Sequence, residues 1–328
     1  MPRSITLCAA QMGPVARSET RAAVVRRMIE LMRQAAGMGA QVVAYPEACL
    51  TAFFPHWWSE DEDEIDSWFE REMPGPATLP LFEEARRLGV GFHLGYCELD
   101  TSGGRKRRFN SSILVASDGG IIGKYRKIHL PGHADHRPQT PFQNLEKRFF
   151  EVGDLGFGAW RAWGGVAGML ICNDRRWPET FRVLGLQSVD MIFCGYNTPV
   201  HHPAAPDHDR LGQFHNELCL QSGAYQNSSW VVGIAKAGNE EGVDMIAGSC
   251  IIAPNGEIVA RSAGNGDEVI AARCDLDLGQ SYRNTTFNFA LHRRPEHYRM
   301  IVERTGAHPP PWEDKPANEP DRQPEPRR

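Results

Sequence analysis

The sequence lacks the features that would mark a membrane or secreted protein. None of its apolar runs approaches the ~20 residues that a helix needs to cross a bilayer, so a membrane partner is not expected. The apolar stretch within residues 1–11 is too short for a secretory signal and has no clear cleavage site. We therefore expect a cytoplasmic protein whose first residues form a core strand.

An excess of basic charge is also missing. Across 328 residues, 36 Lys and Arg stand against 41 Asp and Glu, for a formal net charge of −5. Nucleic acid is not expected as a partner, because proteins that bind it present a basic surface. The hydrophobic content of 41% and the charged content of 23% are typical of a globular protein, and this length allows one large or two medium domains.

Cysteine and histidine patterns exclude two further kinds of site. The eight cysteines are scattered and include no C-x-x-C pair, which argues against a disulfide framework or a zinc ribbon. The histidines fall in two groups, around His133 and His136 and around His201 and His202, at spacings that fit no standard metal site. We expect no metal and no cofactor.

Hydrophobic periodicity predicts alternating strands and helices. Apolar strands are expected at 4–11, 41–45, 91–98, 110–115, 121–125, 166–171, 191–194, 230–235, 250–253, 257–260 and 268–275, and helices at 19–38, 61–69, 76–88, 178–186 and 214–227. Two hairpins, with turns at Asp118–Gly120 and Pro254–Gly256, resemble each other. They predict two sheets packed face to face and covered by helices, with residues 1–304 as one domain. The Pro-rich, charged tail at 305–328 is expected to be either disordered or an arm of an oligomer.

The most informative segment is Gly168–Glu179. An apolar strand ends in Cys172, polar and basic residues follow, and Pro178 can open a helix. A thiol at such a turn lies near backbone N–H groups and cations, which favour the thiolate. We interpret Cys172 as a nucleophile rather than a buried structural cysteine, because the flanking charges make an apolar environment improbable.

Two other strand ends carry groups that a thiol nucleophile needs. Glu47 follows a Val-Val-Ala-Tyr-Pro strand and could serve as a general base, or it could be a surface or helix-capping residue. Lys127 alternates with its neighbours so that it shares a face with Tyr125 and His129. It could stabilise an oxyanion, or it could belong to a solvated edge strand.

Three charged residues near these positions have competing interpretations. Arg175 and Arg176 could bind a substrate carboxylate, because guanidinium groups form bidentate pairs with carboxylates. They could also form structural ion pairs with Glu179 or another acid. Glu146 could be a second acid near the site, or the partner of a neighbouring basic residue.

Glu47, Lys127 and Cys172 in their local contexts resemble the Glu-Lys-Cys triad of the nitrilase superfamily of carbon–nitrogen hydrolases. The resemblance covers residues 4–303 and is closer to one branch, the N-carbamoyl-D-amino-acid amidohydrolases. It is carried by the segments Arg107–Asn110, Leu130–His133, Cys172–Glu179 and Gly195–Thr198, in that order.

The resemblance implies an α+β fold, the four-layer αββα sandwich, without cofactor or metal, assembled as a homodimer or homotetramer. It implies hydrolysis of an N-carbamoyl-D-amino acid to the D-amino acid, carbon dioxide and ammonia through a carbamoyl thioester on the cysteine. By matching position Glu47 is the general base, Lys127 the oxyanion stabiliser and Cys172 the nucleophile, with Glu146 supporting. The implied substrate-binding residues are His129, Asn173, Arg175, Arg176, Asn197 and Thr198.

The chain departs from the branch in the loop expected to line the pocket. Asn144 stands where a histidine is expected, and residues 134–140 differ from the pattern. These departures bear on the preferred side chain. The alternatives are another amidase of the superfamily, acting like a β-ureidopropionase or on aliphatic amides, and a catalytically silent partner-binding protein.

Overall fold

The computed structural model describes residues 3–310. One compact unit extends to Phe287, and a second begins at Asn288. Residues 311–328, which make up most of the predicted tail, lie outside the described part of the chain. The domain boundary expected at residue 304 stays a prediction.

The elements follow one another in the order that the periodicity predicts. The strands are β1 (Ser4–Gln11), β2 (Val42–Ala44), β3 (Gly91–Asp100), β4 (Arg107–Val115), β5 (Ile121–Arg126), β6 (Ala159–Ala162), β7 (Gly165–Ile171), β8 (Met191–Tyr196), β9 (Trp230–Ala235), β10 (Asn239–Glu240), β11 (Val243–Asp244), β12 (Cys250–Ile252), β13 (Ile258–Arg261) and β14 (Glu268–Asp275). The helices are α1 (Arg21–Gly37), α2 (Glu62–Ser67), α3 (Leu79–Leu88), α4 (Glu146–Phe149), α5 (Pro178–Leu186), α6 (Gly212–Asn227), α7 (Gln280–Asn284), α8 (Phe289–His292) and α9 (Arg299–Glu303).

Twelve of these strands form two sheets with the same plan. The first has the order β14-β1-β2-β3-β4-β5 and the second β13-β12-β9-β8-β7-β6. In each, three neighbouring strands are parallel, β1-β2-β3 and β7-β8-β9, and antiparallel strands extend both sides. The two hairpins predicted from the sequence are β4-β5 and β12-β13, at equivalent places in the two sheets.

The layers follow from the two-residue period of the strands. Along β1, Leu7 and Ala9 pack in one cluster with residues of the second sheet such as Met169 and Ile192. Cys8 and Ala10 point to the opposite face, where they pack with residues of α1 and α3.

Residues of α5 and α6 pack in the cluster that also contains the second sheet. The predicted α+β architecture, an αββα sandwich of four layers, is therefore confirmed. Short elements escaped the sequence patterns, namely β6, β10, β11, α4, α7, α8 and α9, because five residues or fewer show no usable period. Among residues 3–310, no helix is both long and apolar enough to cross a membrane.

Candidate active site

Three strand ends bring Glu47, Lys127 and Cys172 together although they are far apart in sequence. Glu47 follows β2, Lys127 follows β5 and Cys172 follows β7. The turn that carries Glu47 passes close to Gly95 of β3 and Gly195 of β8. A Cβ atom on Gly95 would lie 2.4 Å from the Pro46 carbonyl oxygen, and one on Gly195 would lie 2.6 Å from the Glu47 nitrogen. Only glycine leaves room for this approach.

The Glu47 carboxylate is buried, and both of its oxygens accept hydrogen bonds. Its Oε1 accepts hydrogen bonds from the Lys127 ammonium and the Asn110 amide, each at 2.7 Å. Its Oε2 accepts from the Asn197 main-chain N–H at 2.8 Å, and Asn197 also donates through its side chain to the Glu47 carbonyl oxygen at 2.6 Å. These contacts exclude the surface or helix-capping alternative for Glu47.

Lys127 is buried between two carboxylates rather than exposed on an edge strand. Its Nζ donates to Glu47 at 2.7 Å and to Glu146 at 2.5 Å. Burial lowers the pKa of the ammonium, but the negative charges of Glu146 and Glu47 outweigh it and hold the pKa above the ordinary lysine value. Within residues 3–310 no acceptor takes the third ammonium hydrogen, which is thus free to meet a developing oxyanion.

Glu146 bonds Lys127 and not its neighbours in sequence. Burial raises the pKa of the Glu146 carboxyl to about 7, with the Lys127 charge opposing this rise and the Glu47 charge adding to it. The site therefore holds two carboxyl groups against one ammonium, and one of them titrates near neutrality.

Cys172 occupies the predicted sharp turn. It is the first residue of a 3₁₀ turn between β7 and α5, with a φ of 48°. Its Sγ lies 3.8 Å from the Asn197 carbonyl oxygen and 3.8 Å from the Thr198 hydroxyl.

The charge balance at Cys172 differs from the sequence expectation. Burial and the Glu47 carboxylate raise the pKa of the thiol, and the cations Lys127 and Arg175 offset this only in part. The resting group is a thiol, and a base has to remove its proton.

Asp174 connects the turn that carries Cys172 to the strand face that Tyr125, Lys127 and His129 share. Its buried carboxylate accepts from the Tyr125 hydroxyl at 2.8 Å, the His129 ring Nδ1 at 2.8 Å and main-chain N–H groups of His129 and Ile171 at 3.0 Å each. Sequence reasoning assigned Asp174 no role. Its position could have indicated a role, because Asp174 lies two residues after Cys172 among charged residues, and a charged residue that is buried there needs partners.

Asn110, the last residue of the segment Arg107–Asn110, is a further site residue that the sequence did not single out. Its signal was a polar run within an apolar strand, Asn110–Ser112, which is buried throughout in the structure. The amide donates directly to the Glu47 carboxylate.

The two arginines have different environments. Arg175 is 2% exposed, and its guanidinium donates to the Asn216 side chain at 2.7 Å, the Cys172 carbonyl oxygen at 2.6 Å and the Thr198 hydroxyl at 3.0 Å. Arg176 is exposed and reaches only the Asn173 side chain, at 3.3 Å. Neither forms a salt bridge with a carboxylate in the described part of the chain, so the ion-pair alternative with Glu179 is not what the structure shows.

The remaining predicted residues surround the same turn. Asn173 donates from its side chain to the His129 carbonyl oxygen at 3.2 Å, and the His129 ring stacks on Trp177 at 5.2 Å. Asn144 packs against Gly132, where a Cβ atom would lie 2.0 Å from the Asn144 carbonyl oxygen. Asn144, two residues before Glu146 in sequence, is thus part of the packing that fixes the turn at Gly132. Within residues 3–310, no cluster of three or more His, Cys, Asp or Glu residues could hold a metal ion.

Comparisons with known proteins point to one family. The sequence pattern described as carbon–nitrogen hydrolase matches residues 6–284. A nitrilase from Pyrococcus abyssi is 30% identical over 269 residues, which cover 82% of this chain and 90% of that protein. An N-carbamoylputrescine amidase from Solanum lycopersicum is 26% identical over 317 residues, which cover 94% of this chain and 98% of that protein.

A solved structure shows the same fold. The carbon–nitrogen hydrolase from Helicobacter pylori G27 superposes with a TM-score of 0.78 at 21% identity, covering 92% of this chain and 99% of that one. The two-sheet architecture described above is thus shared over nearly the whole length of a known hydrolase.

Proposed function

This chain belongs to the carbon–nitrogen hydrolase family, and we propose that it hydrolyses N-carbamoyl-D-amino acids to the D-amino acid, carbon dioxide and ammonia. The observation that carries the proposal is the buried thiol of Cys172 beside the Glu47–Lys127 pair, with two guanidinium groups in the next four residues. The first group of residues suits attack on a carbonyl carbon, and the second suits a substrate that carries a carboxylate.

The first half-reaction uses Glu47 as the base. Its carboxylate takes the thiol proton as Sγ of Cys172 attacks the carbamoyl carbon, and the developing oxyanion is stabilised by the Lys127 ammonium and the Asn173 main-chain N–H. The bond to the amino-acid nitrogen then breaks. That nitrogen takes the proton from Glu47, the D-amino acid leaves and a carbamoyl thioester remains on Cys172.

In the second half-reaction water replaces the amino acid. Glu47 removes a proton from the water, whose oxygen attacks the carbamoyl thioester, and the thiol leaves with the proton returned. The product carbamic acid decomposes to carbon dioxide and ammonia. Glu146 keeps Lys127 in place through both steps, which the 2.5 Å contact supports.

The carboxylate of the substrate is assigned to the arginine side of the site. Arg176 is exposed beside Asn173, and Arg175 is a buried cation with no carboxylate partner within residues 3–310. Asn197 and Thr198, which flank the thiol, complete this end, and His129 borders it through Asn173. The D configuration is supported by the resemblance of the motif segments.

A second candidate is an amidase that acts on a carbamoylated amine without a carboxylate. The specific observation in its favour is the similarity to the N-carbamoylputrescine amidase from Solanum lycopersicum over 94% of this chain. The positive charge of Arg176 would repel a cationic amine and attract a carboxylate. Removing this charge should therefore favour the carbamoylated amine and disfavour the carbamoyl amino acid.

We also propose a homodimer or homotetramer that forms through the outer face of α5 and α6. Five apolar side chains on these helices are exposed, namely Val183, Leu186, Phe214, Leu218 and Tyr225. Several exposed apolar side chains on two neighbouring helices are a feature of surfaces that pack against a partner. Sedimentation of Leu218→Glu as a smaller species than the unchanged protein is the expected result, and equal size would contradict this interface.

The proposed location is the cytoplasm. All eight cysteines are free thiols, which is the usual state in a reducing compartment.

A substrate panel tests the function. Release of D-amino acid and of ammonia is measured with N-carbamoyl-D-phenylalanine, its L enantiomer, N-carbamoylputrescine and a simple aliphatic amide, and Cys172→Ala serves as the inactive control. We expect turnover of the D compound to exceed that of the others by at least ~100-fold, the discrimination that a site built around a polar group achieves.

Arg176→Gln separates the two candidates. This change should raise KM for the D compound about tenfold through loss of a charge-assisted contact and leave the simple amide unaffected. Equal turnover of both enantiomers, preference for the carbamoylated amine, or activity that survives Cys172→Ala would each overturn the proposal.

A further inference from the structure

We propose that Asn216, on α6, is a positioning residue for the reaction and acts on Cys172 through the guanidinium of Arg175. The inference rests on the proposed function only in taking Cys172 as the nucleophile. Asn216 touches neither the thiol nor the Glu47–Lys127 pair in the described structure, and nothing in its sequence setting marks it as functional.

The Asn216 side chain has one orientation that satisfies its contacts. It is 3% exposed, and its Nδ2 donates to the Tyr196 hydroxyl at 3.2 Å. That hydroxyl donates in turn to the Gly248 carbonyl oxygen at 3.2 Å. With the amino group committed to Tyr196, the amide oxygen faces the Arg175 Nε and accepts its hydrogen at 2.7 Å.

The other end of the guanidinium reaches the nucleophile from two sides. One Nη donates to the carbonyl oxygen of Cys172 at 2.6 Å, and the other donates to the Thr198 hydroxyl at 3.0 Å. That hydroxyl is 3.8 Å from Sγ. Because Cys172 has a φ of 48°, a region that costs energy for a residue with a side chain, a hydrogen bond on its carbonyl group helps to keep the turn in place.

Asn216 holds the guanidinium without neutralising it. The partners of Arg175 are an amide, a carbonyl group, a hydroxyl and the Tyr196 ring, whose centroid lies 4.5 Å from Cζ. All of them are uncharged. The full positive charge therefore acts on the thiol and lowers its pKa against the opposing effects of burial and Glu47.

A carboxylate in the place of Asn216 would cancel much of that charge, and an alanine would release the guanidinium. The other charged groups that act on the thiol are Lys127 and Arg176, which favour the thiolate, and Glu47 and Glu146, which oppose it. In the described structure the Asn216 side chain contacts Arg175 and Tyr196 and none of these groups, so Asn216→Ala reaches the thiol through the guanidinium, and Asn216→Asp acts through the guanidinium and through the charge that it adds.

The test compares Asn216→Asp, Asn216→Ala and the control Gln221→Ala. Gln221 lies on the same helix and donates one hydrogen bond to the Gly256 carbonyl oxygen at 2.7 Å, away from the site. Two quantities are measured on the full chain, the kcat and KM for the substrate found above and the rate of Cys172 alkylation by iodoacetamide between pH 6 and 10, read by peptide mapping.

For Asn216→Asp we expect the alkylation profile of Cys172 to move to higher pH by about one pH unit, because a neutralising charge is placed beside Arg175. For Asn216→Ala we expect kcat to fall roughly tenfold to a hundredfold, the equivalent of one hydrogen bond to a charged group, with KM within about threefold of the unchanged value. Gln221→Ala should leave both quantities unchanged.

The proposal is overturned if both Asn216 variants give the alkylation profile and the kcat of the unchanged protein. It is overturned equally if Gln221→Ala has the same effects, since the cause would then be general loosening of α6. Should Asn216→Ala fail to fold, the isosteric Asn216→Asp decides alone. Alkylation needs no carbamoyl substrate, so the assignment of substrate and the role of Asn216 can fail independently.

Discussion

Two buried lysines lie within residues 3–310, and their surroundings differ. Lys236, just after β9, pairs with Glu240 at 2.7 Å, and both side chains are completely buried. Lys127 is buried to the same degree but contacts two carboxylates, Glu47 and Glu146. One cluster is balanced in charge, and the other holds two acids for one base.

Hydrogen bonding to the main chain separates the two clusters further. Glu240 also accepts from the main-chain N–H groups of Val15 at 2.8 Å and Phe53 at 2.6 Å, and Lys236 donates to the Thr51 carbonyl oxygen at 3.3 Å. This pair joins three stretches of chain, and it also has a thiol nearby, since Lys236 partly offsets the rise that burial causes in the pKa of Cys49. The Cys49 thiol donates to the Gly95 carbonyl oxygen at 3.3 Å. A buried Lys–Glu pair is therefore no sign of catalysis by itself. What distinguishes the Lys127 cluster is its ratio of two acids to one base, beside the thiol that we propose as the nucleophile.

Among variants that test this contrast between the two lysines, the largest loss of kcat/KM is expected at Lys127. Lys127→Met leaves two buried carboxyl groups without their cation, so they share a proton and Glu47 ceases to be a free base. We expect kcat/KM per folded molecule to fall by about 10³-fold, the effect of removing an oxyanion donor. The measurement is ammonia release normalised to the folded fraction from circular dichroism. A loss below tenfold would remove Lys127 from the mechanism.

An intermediate effect is expected at Glu146. Its carboxyl pKa of about 7 means that it loses its proton as the pH rises through neutrality, after which Lys127 has both of its anionic partners. We expect kcat/KM of the unchanged protein to rise through an apparent pKa near 7. Glu146→Gln should remove this limb and lower the rate at pH 8 about tenfold, the worth of one charge-assisted hydrogen bond. A limb that persists unaltered in Glu146→Gln would belong to another group.

The smallest effect on rate is expected at Lys236. Lys236→Met leaves Glu240 buried and unpaired, which should reduce the free energy of unfolding by about 3–5 kcal/mol, measured in urea. The kcat of the molecules that remain folded should stay within about threefold of the unchanged value, because no contact of this pair reaches Cys172. The comparison breaks down if kcat falls as far as it does for Lys127→Met.

Local patterns carried the predictions that succeeded. The apolar run before Cys172 and Pro178 after it were enough to predict a strand, a sharp turn and a helix, because each signal lies within a few residues of the next. The alternation around Lys127 placed Tyr125 and His129 on one face, and both bond the same Asp174.

Long-range partnerships had no comparable signal. Lys127 meets Glu47 across 80 residues of sequence, and Arg175 meets Asn216 across 41. Nothing periodic connects such pairs, so the strand end alone leaves two interpretations open for Glu47, and the sequence around Asn216 gives no indication of its contact. The expectation that nearby cations favour the thiolate was wrong for a related reason. The pKa of Cys172 is raised by burial, which depends on how the sheets pack over the turn and not on which charges flank the cysteine in sequence.

The pairing of β14 with β1 has a consequence for how this chain is made. All eight residues of β1 pair with β14, from Ser4 opposite Asp275 to Gln11 opposite Glu268. Of the strands in these two sheets, β1 is synthesised before the others, and it can pair with β14 only after all of them have been made. Until residue 275 has been synthesised, one edge of the N-terminal sheet is open to any other strand, which is a hazard for aggregation. Completion of the first sheet is thus tied to synthesis of nearly the whole domain.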